Sequence, residues 1–492
     1  MTNFLVNLLS PIFTSLGVSV ADLTSYIERL SGYIIAILVA LVAMIVVMIA
    51  AHKAKKGVRH VIRWQAGIAF VAIVAVLVNV ICYGPMYNNV SSILNAKKVE
   101  LSKETTEQSR ETIQKVGEEG MVLLKNEDHI LPLKAGSKVA LYGAGAGRTI
   151  KGGTGSGDVN ERERVSVFQG MKNAGFQVTT EAWIESYDQI YENARQEWKR
   201  SILSKTGEGA DTMDFFTVYS TTPFKMPAGD PIQKPAEGED TENAIYVLSR
   251  IAGEGSDRTA DKGDYDLSEE EHQMLADICA YYKNVVVVIN AGAQVDLSFM
   301  DEFRNIRVLL VIVQPGMEGG NAFADILSGK VNPSGKLSDT WAYKYEDYPS
   351  SEKFSHNNGN VETELYDEGI YVGYRYFETF CPEKVMYEFG FGLSYSKFDI
   401  EILKAETVIE ESEVGGAWGS HGVSIDNGTC AGKEVQITIC VKNTGDCRGK
   451  EVVQVYVQAP QGKLGKPVRT FAGYAKTKEL AANESENIRI SC

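Results

Sequence analysis

Two runs of uncharged, apolar residues constrain this chain more than anything else in it: residues 33–51 (YIIAILVALVAMIVVMIAA) and 66–83 (AGIAFVAIVAVLVNVICY). A helix rises about 1.5 Å per residue, so the first run makes about 28 Å of helix, close to the hydrocarbon thickness of a bilayer. Trp64, Tyr83 and Tyr87 sit at the run ends, where interfacial aromatics belong. A buried core helix explains one such run, but two in succession argue for a membrane. Lys53, Lys55, Lys56, Arg59 and Arg63 lie between the runs. The positive-inside rule then puts this loop in the cytoplasm and both chain ends outside. A cleaved signal peptide fits less well, because the first 25 residues lack a basic start and two spans follow. The expected order is an N-terminal segment (1–32), two transmembrane helices with a basic cytoplasmic loop (33–84), a polar, irregular tether (85–107) and an extracellular body. A lipid bilayer is thus an expected partner.

That body is acidic. Residues 1–90 hold six basic and two acidic residues, while the whole chain carries a net charge of −15. Nucleic acid is excluded as a partner, since phosphate binding needs clustered Lys and Arg. Hydrophobic residues make up 44% and charged residues 23%, which argues for globular domains over disorder. No two of the seven cysteines form a C-x-x-C pair and no histidines stand at metal-ligand spacing, so no metal centre is expected. Cys430, Cys440 and Cys447 are near enough in sequence for one disulfide; separate small buried residues are the alternative.

Within the body, residues 111–126 look helical at first, with Ile113, Val116 and Gly120 at three- and four-residue steps. Short apolar runs at 138–142, 245–249, 285–289 and 308–313 read as strands, and residues 268–281 and 320–327 read as helices between them. Continuous apolar strands alternating with helices predict an α/β domain around a mostly parallel sheet covered on both faces, spanning 108–397. From 398 the period changes to two: Val435, Ile437, Ile439 and Val441 alternate with polar residues, as do Val453, Val455 and Val457. A β-sandwich over 398–492 follows. Trp418 and the glycines around it read as loop.

Three glycine-rich stretches bear on chemistry. The run from Gly143 to Gly147 follows a strand, but the next residues are more glycine loop and not a helix, so a dinucleotide cofactor is not expected. Gly153, Thr154, Gly155 and Ser156 offer bare backbone amides to a polyhydroxylated ligand, or a simple turn. The sharpest signal is Glu254, a carboxylate between Gly253 and Gly255 just past the 245–249 strand, where open α/β sheets bind ligands. Arg250, Asp257 and Arg258 flank it, able to tune its pKa or to fix the loop.

Taken in order, residues 152–157, 250–258, 314–320 (QPGMEGG), 331–337 (VNPSGKL), 371–377 (YVGYRYF) and 389–395 (FGFGLSY) resemble the second domain of glycoside hydrolase family 3. The last segment, with Asn443, Thr444, Gly445 and residues 450–456, is similar to the fibronectin type III-like domain of its β-glucosidases. The resemblance implies retaining hydrolysis of a β-linked oligosaccharide or glycoside by two carboxylates roughly 5 Å apart. It implies that Glu254 is the general acid/base, that Gly153, Thr154, Gly155 and Ser156 wall the sugar site, and that Arg250, Asp257 and Arg258 support the loop. The nucleophile of such enzymes is an aspartate on a (β/α)8 barrel. No such barrel is expected in these residues, so it would lie in a continuation of the chain or on a partner chain. The order resembles a permuted subgroup in which the barrel comes last. A catalytically inactive, membrane-anchored carbohydrate-binding or scaffold protein is the alternative function.

Overall fold

The computed structural model describes residues 5–6, 9–10, 20–95, 101–154, 163–206, 215, 217–219, 221–235, 241–252, 257–356, 358–410 and 432–492. It divides into two compact units, Met1–Ser102 and Lys103–Cys492.

The first unit is a pair of long helices, α1 (Val20–Ala50) and α2 (Lys56–Tyr83), joined by a single turn at Ala51–Lys53. Both are long and apolar enough to cross a membrane. Their large side chains face outward: Val39, Val42, Ile49, Ile68, Val71 and Val76 are all more than half exposed. Such a surface is costly in water and neutral in lipid. The basic turn is braced by Arg59, which donates from Nη2 to the Ala54 carbonyl (3.0 Å). The stretch read as an irregular tether carries a helix, α3 (Tyr87–Asn95), because Val90 and Leu94 fall one helical turn apart despite the asparagines around them.

In the second unit, α4 (Lys103–Gly120) leads into β1 (Val122–Asn126). The helix expected over 111–126 therefore starts earlier and stops at Gly120. Residues 122–124 are buried, as in a strand covered on both faces. The helix seats Ile113 and Gly117 inward, whereas Val116 is 66% exposed.

The main sheet adds β2 (Lys138–Tyr142), β3 (Gln177–Val178), β4 (Asn243–Arg250), β5 (Asn284–Ala291) and β6 (Ile306–Val311). Its order is β1-β6-β5-β4-β2-β3, all parallel except β1, which pairs antiparallel with β6. Alternate residues of β5 enter two separate cores. Val285, Val287 and Ile289 meet Met274, Leu275 and Ile278 of one covering helix. Val286 and Val288 meet Val167, Met171, Phe323 and Ile326 of two others. The one helix is α7 (Glu269–Tyr281) and the two others are α5 (Val167–Asn173) and α9 (Gly319–Leu327); α6 (Glu181–Thr206) and α8 (Phe299–Glu302) lie between them in the chain. Where α5 meets α9 the backbones touch: a Cβ on Gly320 would stand 1.9 Å from the Ser166 carbonyl oxygen. After α9 come the short pair β7 (Trp341–Ala342) and β8 (Val385–Tyr387), with α10 (Tyr374–Phe380) between them.

The last strands are β9 (Phe398–Glu410), β10 (Gly432–Asn443), β11 (Val452–Val457), β12 (Thr470–Lys476) and β13 (Ser485–Ser491). They form sheets β13-β10-β9 and β11-β12, antiparallel throughout. Ile439, Val441, Val453, Ile488 and Ile490 fill the space between them, so the period-two pattern resolves into a sandwich core. Trp418 and Cys430 lie outside the described residues. The six described cysteines are free.

The sandwich is latched to the α/β domain through motifs whose function the sequence alone did not reveal. Asn332 accepts from Ser394 Oγ (2.9 Å) and the Tyr395 amide (2.8 Å) and donates to the Arg448 carbonyl (2.9 Å). Lys336 pairs with Glu451 (2.8 Å), and Arg469 grips Glu378 with two bonds (2.5 and 2.6 Å). Glu119, at the end of α4, accepts from both Lys450 and Lys476 of the sandwich. Burial opposes ionisation of Glu119, but the two ammonium groups outweigh it and hold its carboxyl below the ordinary 4.5. A lowered carboxyl pKa contributes stability above the unfolded value and loses it as pH falls through the folded one. Glu119→Gln should therefore cost on the order of 1 kcal/mol at neutral pH, discounted for partial exposure. The difference should be smaller at about pH 3, as the carboxyl takes up its proton below 4.5. Urea denaturation of the full chain at both pH values checks this; an equal cost at both would rule out the ion pairs as the cause.

Candidate active site

The parallel sheet ends its β4 strand at Arg250, and a cavity opens there. Ser249, Arg250, Asp257, Arg258, Asp264 and Thr154 form one side of it. This is the carboxyl edge of the sheet, where strand ends and loops leave room for a ligand.

Arg250 lines the cavity but keeps no guanidinium nitrogen free of a partner. It is 5% exposed, and its guanidinium is fully engaged. Nη1 and Nη2 donate to the two oxygens of Glu271 (2.6 and 2.7 Å), Nε to the Asp264 carbonyl (2.5 Å), and further bonds reach the Ser249 and Asp266 carbonyls (2.9 and 3.3 Å). Glu271 in turn closes a capping box at the start of α7: it accepts from the Ser268 amide (2.8 Å), while its own amide donates to Ser268 Oγ (3.1 Å). The end of β4 is thereby tied to a helix start and to the 264–266 turn.

Arg258 has the same character. Its Nε donates to Asp264 Oδ1 (2.6 Å), Nη1 to the Gln294 carbonyl (2.7 Å) and Nη2 to the Asp264 carbonyl (2.9 Å). The other oxygen of Asp264 takes the Thr259 amide (2.7 Å). Asp257 differs: it is exposed on the cavity rim and makes no hydrogen bond or ion pair among the described residues. Glu254 itself, with Gly155 and Ser156, lies outside the described residues.

The glycine loop after β2 is held by a residue that sequence reasoning missed. Asn290, at the end of β5, is completely buried. Its Oδ1 accepts from the Ile150 amide (2.7 Å) and Ser249 Oγ (3.1 Å), and its Nδ2 donates to the Ile150 and Val313 carbonyls (2.9 and 2.7 Å). One amide side chain thus joins the ends of β4, β5 and β6 to the loop. Val313 takes a left-handed conformation (φ 47°), so the strand expected through 313 ends at Val311. Gly145 belongs to this stitching, since a Cβ there would come 2.2 Å from Ser249 Oγ. The next helix begins only at Val167.

Of the described residues in the second glycine loop, Thr154 lines the cavity and Gly153 does not. The Thr154 amide is not bare, however: it donates to the Ala252 carbonyl (3.0 Å). What Thr154 offers a ligand is its side chain. Among the described residues no group of three His, Cys, Asp or Glu side chains is gathered to hold a metal ion. The opposite wall of the cavity, unforeseen in the sequence, comes from α6 and the segment after it: Arg195, Trp198, Tyr219, Phe224 and Lys225.

Residues 121–374 match the glycosyl hydrolase family 3 C-terminal domain, and residues 451–492 match the fibronectin type III-like domain. β-Glucosidase A of Butyrivibrio fibrisolvens is 37% identical over 408 residues, 76% of this chain and 44% of that protein. A β-glucosidase of Ruminococcus albus is 35% identical over 379 residues, 76% of this chain and 35% of that protein. Among solved structures, a β-glucosidase from Paenibacillus barengoltzii superposes with TM-score 0.63 at 34% identity, over 80% of this chain and 38% of its own. β-Glucosidase 3B from Thermotoga neapolitana, in complex with glucose, gives TM-score 0.60 at 30% identity, over 89% and 56%. The chain therefore spans less than half the length of these curated relatives.

Proposed function

Because this chain belongs to glycosyl hydrolase family 3, we propose that it supplies the acid/base half of a β-glucosidase-like retaining exo-glycosidase, with Glu254 as the proton donor. The observation that carries this reading is the rigid frame on either side of Glu254. Arg250 is locked to Glu271 before it, and Arg258 is locked to Asp264 after it, both on the cavity at the carboxyl end of β4. Asp257 on the rim stands three positions after Glu254, a reach of about 11 Å at most. In the retaining mechanism Glu254 protonates the departing oxygen and then takes a proton from water, while a second carboxylate attacks the anomeric carbon. That nucleophile belongs to a barrel domain in a continuation of the chain or in a partner. Gly153, Thr154, Gly155 and Ser156 would wall the sugar, and Asp257 would keep the rim polar.

The 492 residues alone should bind β-glucosides and hydrolyse 4-nitrophenyl β-D-glucoside no faster than background. Turnover should appear when a family 3 barrel bearing the aspartate is supplied. Turnover by the 492 residues alone would sink the half-site reading. Binding without turnover in the presence of the barrel would favour the second reading, a carbohydrate-binding scaffold.

We infer further that α1 and α2 anchor the chain in a cell membrane with the basic turn in the cytoplasm and Lys103–Cys492 outside. Protease added to intact cells should then remove the acidic unit and spare the helix pair. Protection of that unit, while an outer-face control is digested, would reverse the orientation.

A further inference from the structure

The wall of the cavity opposite Arg250 has no part in proton transfer, yet it is built. The Arg195 guanidinium lies 4.5 Å from the Trp198 ring centre and 5.0 Å from that of Phe224. Trp198 meets Phe224 and Tyr219 edge-on, each at 5.6 Å, and its indole N–H is fixed to the Thr222 carbonyl (2.6 Å). These rings hold Arg195 in place without using its donors.

Three arginines and a lysine line this cavity against two carboxylates, Asp257 and Asp264. Arg250 and Arg258 are spent on Glu271 and Asp264. Arg195 has neither a hydrogen bond nor an ion pair among the described residues, and Lys225 beside it is exposed. In a chain of net charge −15, an unpaired guanidinium resting on aromatic faces at a ligand cavity is unusual. A planar guanidinium with free in-plane N–H groups matches a carboxylate with two parallel bonds. The free carboxylate of Asp257 on the rim works against an anion, and Lys225 offsets it.

We propose that this wall receives the leaving-group side of a β-glycoside and selects a ring that bears a carboxylate, either a phenolic acid or a uronic acid sugar. The proposal rests on the glycosidase reading, since a leaving group extends from the scissile oxygen past the acid/base. The ring lies against the aromatic wall, and Arg195 takes its carboxylate. No bond is made or broken by Arg195; it positions and selects.

The test is calorimetric titration of the full chain in detergent with 4-carboxyphenyl β-D-glucoside, phenyl β-D-glucoside and free 4-hydroxybenzoate, and with cellobiouronic acid against cellobiose. The acid glucoside should bind about tenfold tighter than the phenyl glucoside, the value of a charge-assisted pair at a partly exposed site. Arg195→Met should erase that preference and leave phenyl glucoside affinity within about twofold, and Arg195→Lys should retain part of it. A preference in the aryl pair alone identifies a phenolic acid, and one in the disaccharide pair alone a uronic acid. Equal affinity within both pairs, or a preference that survives Arg195→Met, overturns the proposal. Free 4-hydroxybenzoate binding as tightly as its glucoside would leave the Arg195 site standing and tell against the glycosidase reading instead.

Discussion

Glu254→Gln, in the enzyme assembled with its second carboxylate, should lower kcat on cellobiose by about 10³-fold, within the usual range for loss of a general acid. In kcat/KM, which reports the first step alone, the fall should be far smaller for 2,4-dinitrophenyl β-D-glucoside than for cellobiose, because its leaving group departs without a proton. With that substrate the first step survives and the glycosyl-enzyme accumulates, because water lacks its general base in the second. Azide, which attacks without base assistance, should then restore turnover of Glu254→Gly and give a β-glucosyl azide. The alkaline limb of the kcat/KM profile, which reports the acid in the free enzyme, should disappear in Glu254→Gln. An equal loss on both substrates, with no azide rescue, would remove Glu254 from the proton-transfer role. Loss at Asp257 should be milder, since that residue stands on the rim and its carboxylate holds no other group among the described residues.

Strand positions in the main sheet were legible because burial on both faces leaves an uninterrupted apolar run, as in residues 285–289, whose alternate side chains serve two cores. The sandwich was legible for the opposite reason: Ile439 and Val441 are buried while their neighbours are not, giving period two. What misled was the junction of α4 and β1. Ile113 and Val116 carry a helical spacing that runs on into residues 122–124, and only pairing with β6, some 190 residues away, makes those residues a strand. Local pattern holds no information about that partner.

The site divides along the same line. Glu254 and its flanking residues were legible as a motif, because a carboxylate between glycines at a strand end is a local arrangement. Their supports were not. Asn290 acts on Ser249 and Ile150 from 41 and 140 positions away, and Glu271 on Arg250 from 21. The capping-box spacing of Ser268 and Glu271 was visible in the sequence, but its second use, as the partner of Arg250, appears only when the sheet brings them together. Several motifs that carried the family resemblance, Asn332, Lys336 and Tyr395 among them, prove to be latches within the fold and to the sandwich rather than parts of the cavity.

That division predicts a large stability effect at a residue beside the chemistry. Arg250→Met should destabilise the Lys103–Cys492 unit by about 3–5 kcal/mol, the range for breaking a buried pair by removing one partner. Glu271, 14% exposed at its side chain, would keep its charge and its bond to the Ser268 amide but lose both guanidinium bonds. The Asp264 and Ser249 carbonyls would each lose a donor as well. Adding Glu271→Gln should return part of the loss, because the stranded charge is then gone. A coupling of about 2 kcal/mol or more is expected in the double-mutant cycle. Guanidinium denaturation of the full chain, followed by the fluorescence of its tryptophans, measures all four corners. If Arg250→Met costs under about 1 kcal/mol, the guanidinium is not the strut between β4 and α7, and the frame assigned to the residues flanking Glu254 loses its basis. If the full cost appears, activity lost in Arg250 variants reports a displaced end of β4 and not a missing catalytic group. Glu254 and Arg250 are then told apart by their signatures: unchanged stability with lost proton transfer in one, and lost stability with the leaving-group dependence preserved in the other.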